Sequence, residues 1–260
     1  MSKLPARTGW EWLREGAALF RKQPAGLTAL LFANFFISIL LASLPVVGQF
    51  LAVILMPSLS MAFMQACLMI ENGETVTLRV LATGFRKPAV ASLCKLGVVF
   101  LIVSAVMTLL SSVLINDAFW QQLRDQGSVP QKLDIAPRDM LGMLALFVID
   151  LSVLISLAFA APLVYWEKMG PGKATFYSFF AVVKSARVFV VLLGAWFGLF
   201  CLVSFFITPL FGLIGVSQAG IFAVMYGILF IFVLLLQCAI YVGYRQIFGK
   251  PIEPVPSHSV

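Results

Sequence analysis

"FRKQPAGLTALLFANFFISILLASLPVVGQFLAVILMPSLSMAFMQAC", residues 20–67, decides the fold class. Two cations, Arg21 and Lys22, open the stretch, and the next charged residue after them is Glu71. The apolar run is interrupted once, by "LPVVG" at 44–48. A helix needs about 20 apolar residues to cross a bilayer core. The stretch therefore reads as two spans, 25–44 and 46–70, joined by a tight Pro/Gly turn.

The rest of the chain repeats the pattern. It has 260 residues, 61% hydrophobic and 11% charged, against about 25% charged in a soluble domain. Four more segments are long and apolar enough to span, at 94–115, 141–164, 188–208 and 218–243. Backbone groups must be paired inside lipid, so each span is expected to be helical. The expected fold is an all-α polytopic membrane protein of six helices built as three hairpins, one domain over 1–248. A loop at 116–140 and a Pro-rich, disordered tail at 249–260 complete it.

The cations orient this bundle. Fifteen of the 18 Lys and Arg fall before span one, between spans two and three or, for Lys95, at the start of three, between four and five, or after six. The 116–140 loop side holds Arg124, Lys132 and Arg138 against Asp117, Asp125, Asp134 and Asp139. Basic residues collect on the cytoplasmic side, which predicts that both termini lie in the cytoplasm. The formal charge of +7 then needs no nucleic acid. The N-terminus, with Glu11 and Glu15 and no small-x-small cleavage site, is expected to be retained rather than removed as a signal peptide.

The motif that opens the first span recurs as Phe85-Arg86-Lys87-Pro88, and more loosely as "VVKSAR" at 182–187. Each copy closes an amphipathic segment. Residues 8–22 set Trp10, Trp12, Leu13, Gly16, Ala17, Leu19 and Phe20 on one half of a helical wheel and the charges on the other. Residues 77–87 begin at Thr77, a candidate N-cap, and place Leu78, Leu81 and Phe85 at helical spacing. Residues 171–186 group Phe176, Phe179, Val182 and Val183 against Lys173, Ser178, Lys184 and Ser185. Tryptophans and cations on such helices predict placement in the membrane interface, one before each hairpin. Arg14, Arg21, Lys22, Arg86, Lys87, Lys184 and Arg187 are the candidate contacts to lipid headgroups.

Inside the spans, Asp150 is the one acid away from the ends. It lies about 9 residues, or about 14 Å, from the outer end of its span. An intramembrane carboxyl is a functional candidate. Counting depth brings Asn34, Ser58 and Ser104 to the same level, a candidate midplane polar cluster. Two roles are open to it: a proton or ligand site of a transporter, or a hydrogen-bonded carboxyl that locks helix packing. Gly194 and Gly198 form a GxxxG, read as close helix packing.

Other chemistry is missing from the sequence. The single histidine, His258, lies in the tail. Cys67, Cys94, Cys201 and Cys238 sit in apolar runs and form no CxxC, as buried small hydrophobes do. There is no Lys-bearing phosphate loop, HExxH or GxSxG. The expectation is a protein that is not an enzyme and holds no metal or cofactor. Its expected partners are membrane lipids, with a membrane-protein partner or a second copy left open.

"KLPARTGWEWLREGAALFRKQP", "LPVVGQFLAVILMPSLSMAFMQAC", "TGFRKP" and "APLVYWEKMGPGKATFYSF" together resemble a family of bacterial inner-membrane proteins common in beta-proteobacteria. The resemblance covers most of 3–248. It is broader and looser to the membrane portion of some glycerophosphodiester phosphodiesterases, whose catalytic domain is not expected here. It implies an inner-membrane location and six helices, and brings no activity with it.

Overall fold

A computed structural model describes residues 4–45, 47–87, 89–116, 119–121 and 137–251. Most of the 116–140 loop, the tail from 252 and Pro88 of the second FRKP motif lie outside the described residues. Among the described residues every regular element is helical. In chain order these are α1 (Thr8–Lys22), α2 (Pro24–Ala42), α3 (Val47–Asn72), a 3-10 helix (Leu78–Phe85), α4 (Ala89–Leu114), α5 (Pro137–Leu157), α6 (Ala160–Tyr165), α7 (Pro171–Lys184), α8 (Ala186–Leu213) and α9 (Gln218–Phe248). Six candidate spans result: α2, α3, α4, α5 with α6, α8 and α9. They form three hairpins, each preceded by a shorter helix.

α3 is the axis. In its most apolar window 61% of residues are buried, against 6–11% in the other five spans. α2, the 3-10 helix, α4, α6 and α9 pack around it. The α3–α4 contact is backbone to backbone. A Cβ at Gly97 would lie 2.0 Å from the Ile54 carbonyl oxygen, so only glycine fits. The buried side chains gather where α1, α6, α7 and the closing turns of α3 and α9 meet. Trp12, Ile70, Phe159, Leu163, Tyr241 and Tyr244 are at most 1% exposed there. Away from that end, α2, α4, α5 and α8 present apolar side chains such as Phe36, Leu109, Phe147 and Phe205 outward. That is the surface expected of helices solvated by lipid tails.

The three short helices differ from one another. α1 is amphipathic, and its apolar half lies on protein. Gly9 fits against the backbone of Val188 and Gly16 against that of Ala239, while Trp12 covers Gly243. Trp10, on the same half of the wheel, stays 45% exposed. The middle segment winds as a 3-10 helix whose Gly84 presses on the Ser58 backbone. A Cβ there would lie 2.3 Å from the Ser58 carbonyl oxygen. Thr77 stands at its N-cap position in extended conformation without a side-chain capping bond.

α7 does not divide as the wheel does. Ala174, Ser178, Ala181 and Val182 face the protein, and Phe176, Tyr177, Phe179, Phe180 and Val183 are exposed. Ser178 groups with Lys173 and Lys184 by sequence, yet it is fully buried. The reason lies in span four. Pro162 has no N–H to bond back along the helix, and the span breaks between Leu157 and Ala160. The Ser178 hydroxyl donates to the Ser156 carbonyl at 2.6 Å and accepts from the Phe159 N–H at 3.2 Å. It thus satisfies two backbone groups that lipid could not. Ser178→Ala is expected to cost about 1–3 kcal/mol, the usual penalty for orphaned buried groups, read as a lower melting temperature in detergent. An unchanged melt would mean the break is satisfied elsewhere.

Candidate functional site

α3 and α9 run side by side toward the end of the bundle against which α1 packs. The Cys67 and Cys238 sulfurs meet at 3.6 Å. One helical turn further, the Glu71 carboxylate accepts from the Tyr241 hydroxyl and from the Arg245 guanidinium at 2.7 Å. The other arm of Arg245 reaches Glu15 of α1 at 2.6 Å. Trp12 donates its indole N–H to Gln246. One guanidinium thus ties three helices that are distant in sequence. Two carboxylates share it, and all three charged groups are spent on one another. Such an arrangement holds helices together.

Gln23, in the single-residue joint between α1 and α2, extends the lock. Its amide donates to the Glu74 carbonyl at 2.7 Å and its oxygen accepts from the Val76 N–H at 2.8 Å. The polar letter inside "FRKQP" therefore clamps the strand of chain leaving α3. Pro24 follows at the first position of α2, where its missing N–H costs nothing.

α7 forms a second feature at the same end. It is joined to α6 by residues 166–170 and to α8 by Ser185 alone, so it lies where two spans turn. Its exposed rings stack into a shelf, with Phe176 and Phe180 centroids 4.4 Å apart and Phe179 5.4 Å from Phe180. Lys173 sits 5.7 Å over the Tyr177 ring. Between the shelf and Phe248 of α9 lies an open groove of about 560 Å³. Phe248 is held by Phe159 and Tyr244 at 5.7 and 5.1 Å, so the floor of the groove belongs to the core.

The four candidate midplane residues divide into two levels. Asp150 and Ser104 are both exposed, on α5 and α4. Gly142 lies against Leu114, and the antiparallel register from that contact sets Asp150 nearly level with Ser104. Ser58 is fully buried, with no hydrogen-bond partner for its hydroxyl among the described residues. Asn34 is half-buried, and its carbonyl accepts from Ser38. Register from Gly97–Ile54 and Gly48–Leu41 puts Asn34 within about a turn of Ser58, and the level of Ser58 lies about 17 Å along α4 from Ser104. By register, therefore, the four residues fall at two levels of the bundle. The candidate headgroup cations Arg14, Arg21, Lys22, Arg86, Lys87, Lys184 and Arg187 are all exposed. Nothing lies within 4 Å of a Cβ added at Gly194 or Gly198, so this GxxxG is not a packing contact among the described residues.

Glu15, Gln23, Glu71, Ser178, Tyr241 and Arg245 make tertiary polar contacts at this end, and sequence reasoning gave none of them that role. A faint signal existed in the Gln65-x-Cys67 and Gln237-Cys238 pairs, each followed within seven residues by an ionisable group. Among the described residues no three His, Cys, Asp or Glu side chains gather closely enough to hold a metal ion.

The chain is similar to a protein of Burkholderia thailandensis named a probable inner membrane protein. The two are 29% identical over 255 residues, 95% of this chain and 93% of that protein. No family model matches the chain, and no solved structure matches it.

Proposed function

We propose that this chain is a non-catalytic multi-pass protein of the bacterial inner membrane, with both termini in the cytoplasm, that organises anionic lipid at the inner leaflet. The observation that carries the reading is α7. Its small, hydrogen-bonding face is buried in protein, and an aromatic face with lysines at either end is turned outward. Aromatic rings and lysines together favour the headgroup boundary. The distribution of cations supports the orientation, and the name of the Burkholderia relative supports the compartment.

Each cation near an anionic surface contributes about 1 kcal/mol, roughly a five-fold preference. Replacing Lys173, Lys184 and Arg187 by Gln together is expected to lower the enrichment of phosphatidylglycerol over phosphatidylethanolamine in co-purified lipid many-fold. An enrichment that survives all three substitutions counts against the reading. A C-terminal fusion that reports from the periplasm would overturn the orientation separately.

A second reading, a small transporter, is favoured by one observation: Asp150 is exposed within a span, where a carboxyl is costly without a role. Asp150→Asn should then abolish a proton-coupled flux without altering the melt. If Asp150→Leu leaves growth and flux unchanged, this second reading fails.

A further inference from the structure

We infer that the groove between α7 and the end of α9 is a binding site for one anionic phospholipid, with an acyl chain along the aromatic shelf and the phosphate at Lys184. The inference rests on the lipid reading above and narrows it to one site. Phe176, Tyr177, Phe180, Val183 and Phe248 make the trough apolar, and among the described residues Lys184 is the one charged side chain that lines it. No acid lines it among those residues, so a phosphate there meets attraction from its walls. Lys250, two residues beyond Phe248, is exposed and adds positive charge near the same end. The volume of about 560 Å³ falls inside the range of about 300–1,000 Å³ typical of small-molecule sites.

Two features separate this groove from ordinary lipid-facing surface. First, its walls are fixed. Ser178 pins α7 to the break in span four, and Phe248 is packed against Phe159 and Tyr244. A preformed trough binds a flexible chain at less ordering cost than a surface that must adapt. Second, its polarity runs from rings to one cation, which matches a phospholipid that is apolar along its tail and anionic at its head. A wholly apolar ligand would gain nothing from Lys184, and a soluble phosphate nothing from the rings.

The test uses the full chain in phosphatidylethanolamine nanodiscs containing a little phosphatidylglycerol whose acyl chain carries a diazirine. After illumination, adducts are expected to concentrate on the peptide covering 173–184 and on Phe248. Lys184→Gln should lower that labelling several-fold. A phosphatidylcholine probe with the same diazirine should show no such preference, and excess glycerol phosphate should not displace the lipid. Lys184 is exposed, so the variant should melt like the parent, and a matching melt makes the comparison valid. For a variant that melts lower, Lys184→Arg must restore the labelling; failure to do so overturns the site. Labelling spread evenly over the spans, labelling indifferent to Lys184, or displacement by glycerol phosphate would each overturn it. Bulk enrichment of phosphatidylglycerol could persist in every one of those cases, which keeps the failure of the site distinct from the failure of the broader reading.

Discussion

Gly97→Leu is expected to abolish the folded bundle, whereas Gly194→Leu is expected to leave it intact. The chemical change is the same, and both positions are glycines within spans. At Gly97 the added Cβ meets the Ile54 carbonyl oxygen at 2.0 Å and its carbon at 2.6 Å. Those are backbone atoms of the central helix and cannot rotate aside. α4 would have to leave α3, which it packs along for much of its length. The cost is expected to exceed about 3 kcal/mol, the upper end for overpacking. It should appear as loss of the monodisperse species in mild detergent. At Gly194 nothing lies within 4 Å. Leucine is there the better helix former by up to about 1 kcal/mol, so the melt should hold or rise. If the two variants behave alike, the packing of α4 on α3 is wrong.

The second large effect is expected at Arg245. Removing it as Arg245→Ala leaves Glu71 and Glu15 without their shared cation. The Glu71 side chain is only 18% exposed, and that of Arg245 30%. Breaking a fully buried pair costs about 3–5 kcal/mol. Partial exposure lowers the expectation here to about 2–3 kcal/mol, most of it through Glu71, because the Glu15 side chain is 49% exposed. For a chain of this size that is a drop of about 4–12 °C in melting temperature. Glu71→Gln combined with Arg245→Met should melt above Arg245→Met alone, since the double variant buries no uncompensated charge. A double variant that melts below the single one would show that the Tyr241 hydroxyl, and not Arg245, supplies most of what compensates the Glu71 charge.

The span count, the pairing of spans into hairpins and the short helix before each hairpin were legible in the sequence. Each depends on a sum over neighbouring residues. Twenty apolar residues in a row read as a span whatever the rest of the chain does. Helix ends were less so: α4 begins at Ala89 rather than 94, and α8 and α9 run on to Leu213 and Phe248 rather than 208 and 243. So was the break in span four. Pro162 breaks the helical hydrogen-bond ladder, but the residue that makes the break tolerable, Ser178, belongs to the next helix.

The candidate sites fared differently because depth and facing are not local quantities. Counting residues along separate helices set Asp150, Asn34, Ser58 and Ser104 at one level. That count assumes that all spans start together and run parallel. The contacts at Gly97 and Gly142 set the register of the α4–α5 hairpin along α3, and the four residues part into two levels. α7 shows the same limit for facing. A wheel shows that a helix has two faces, and only the neighbours decide which one is covered. Here the smaller, hydrogen-bonding face won, because span four offered two unpaired backbone groups to bond.

By itself, then, the sequence determined that this chain is a six-helix membrane protein with its cations gathered beside one set of helix ends. Hydropathy and charge act through the solvent, residue by residue, and need no partner to be read. Only the tertiary structure decided that Glu15, Glu71 and Arg245 form one lock, that Gln23 clamps the chain leaving α3, and that Phe248 floors a groove beside α7. Glu71 and Arg245 are 174 residues apart. Hydrogen bonds and ion pairs act over about 3 Å, so such partners become visible only once the helices are packed.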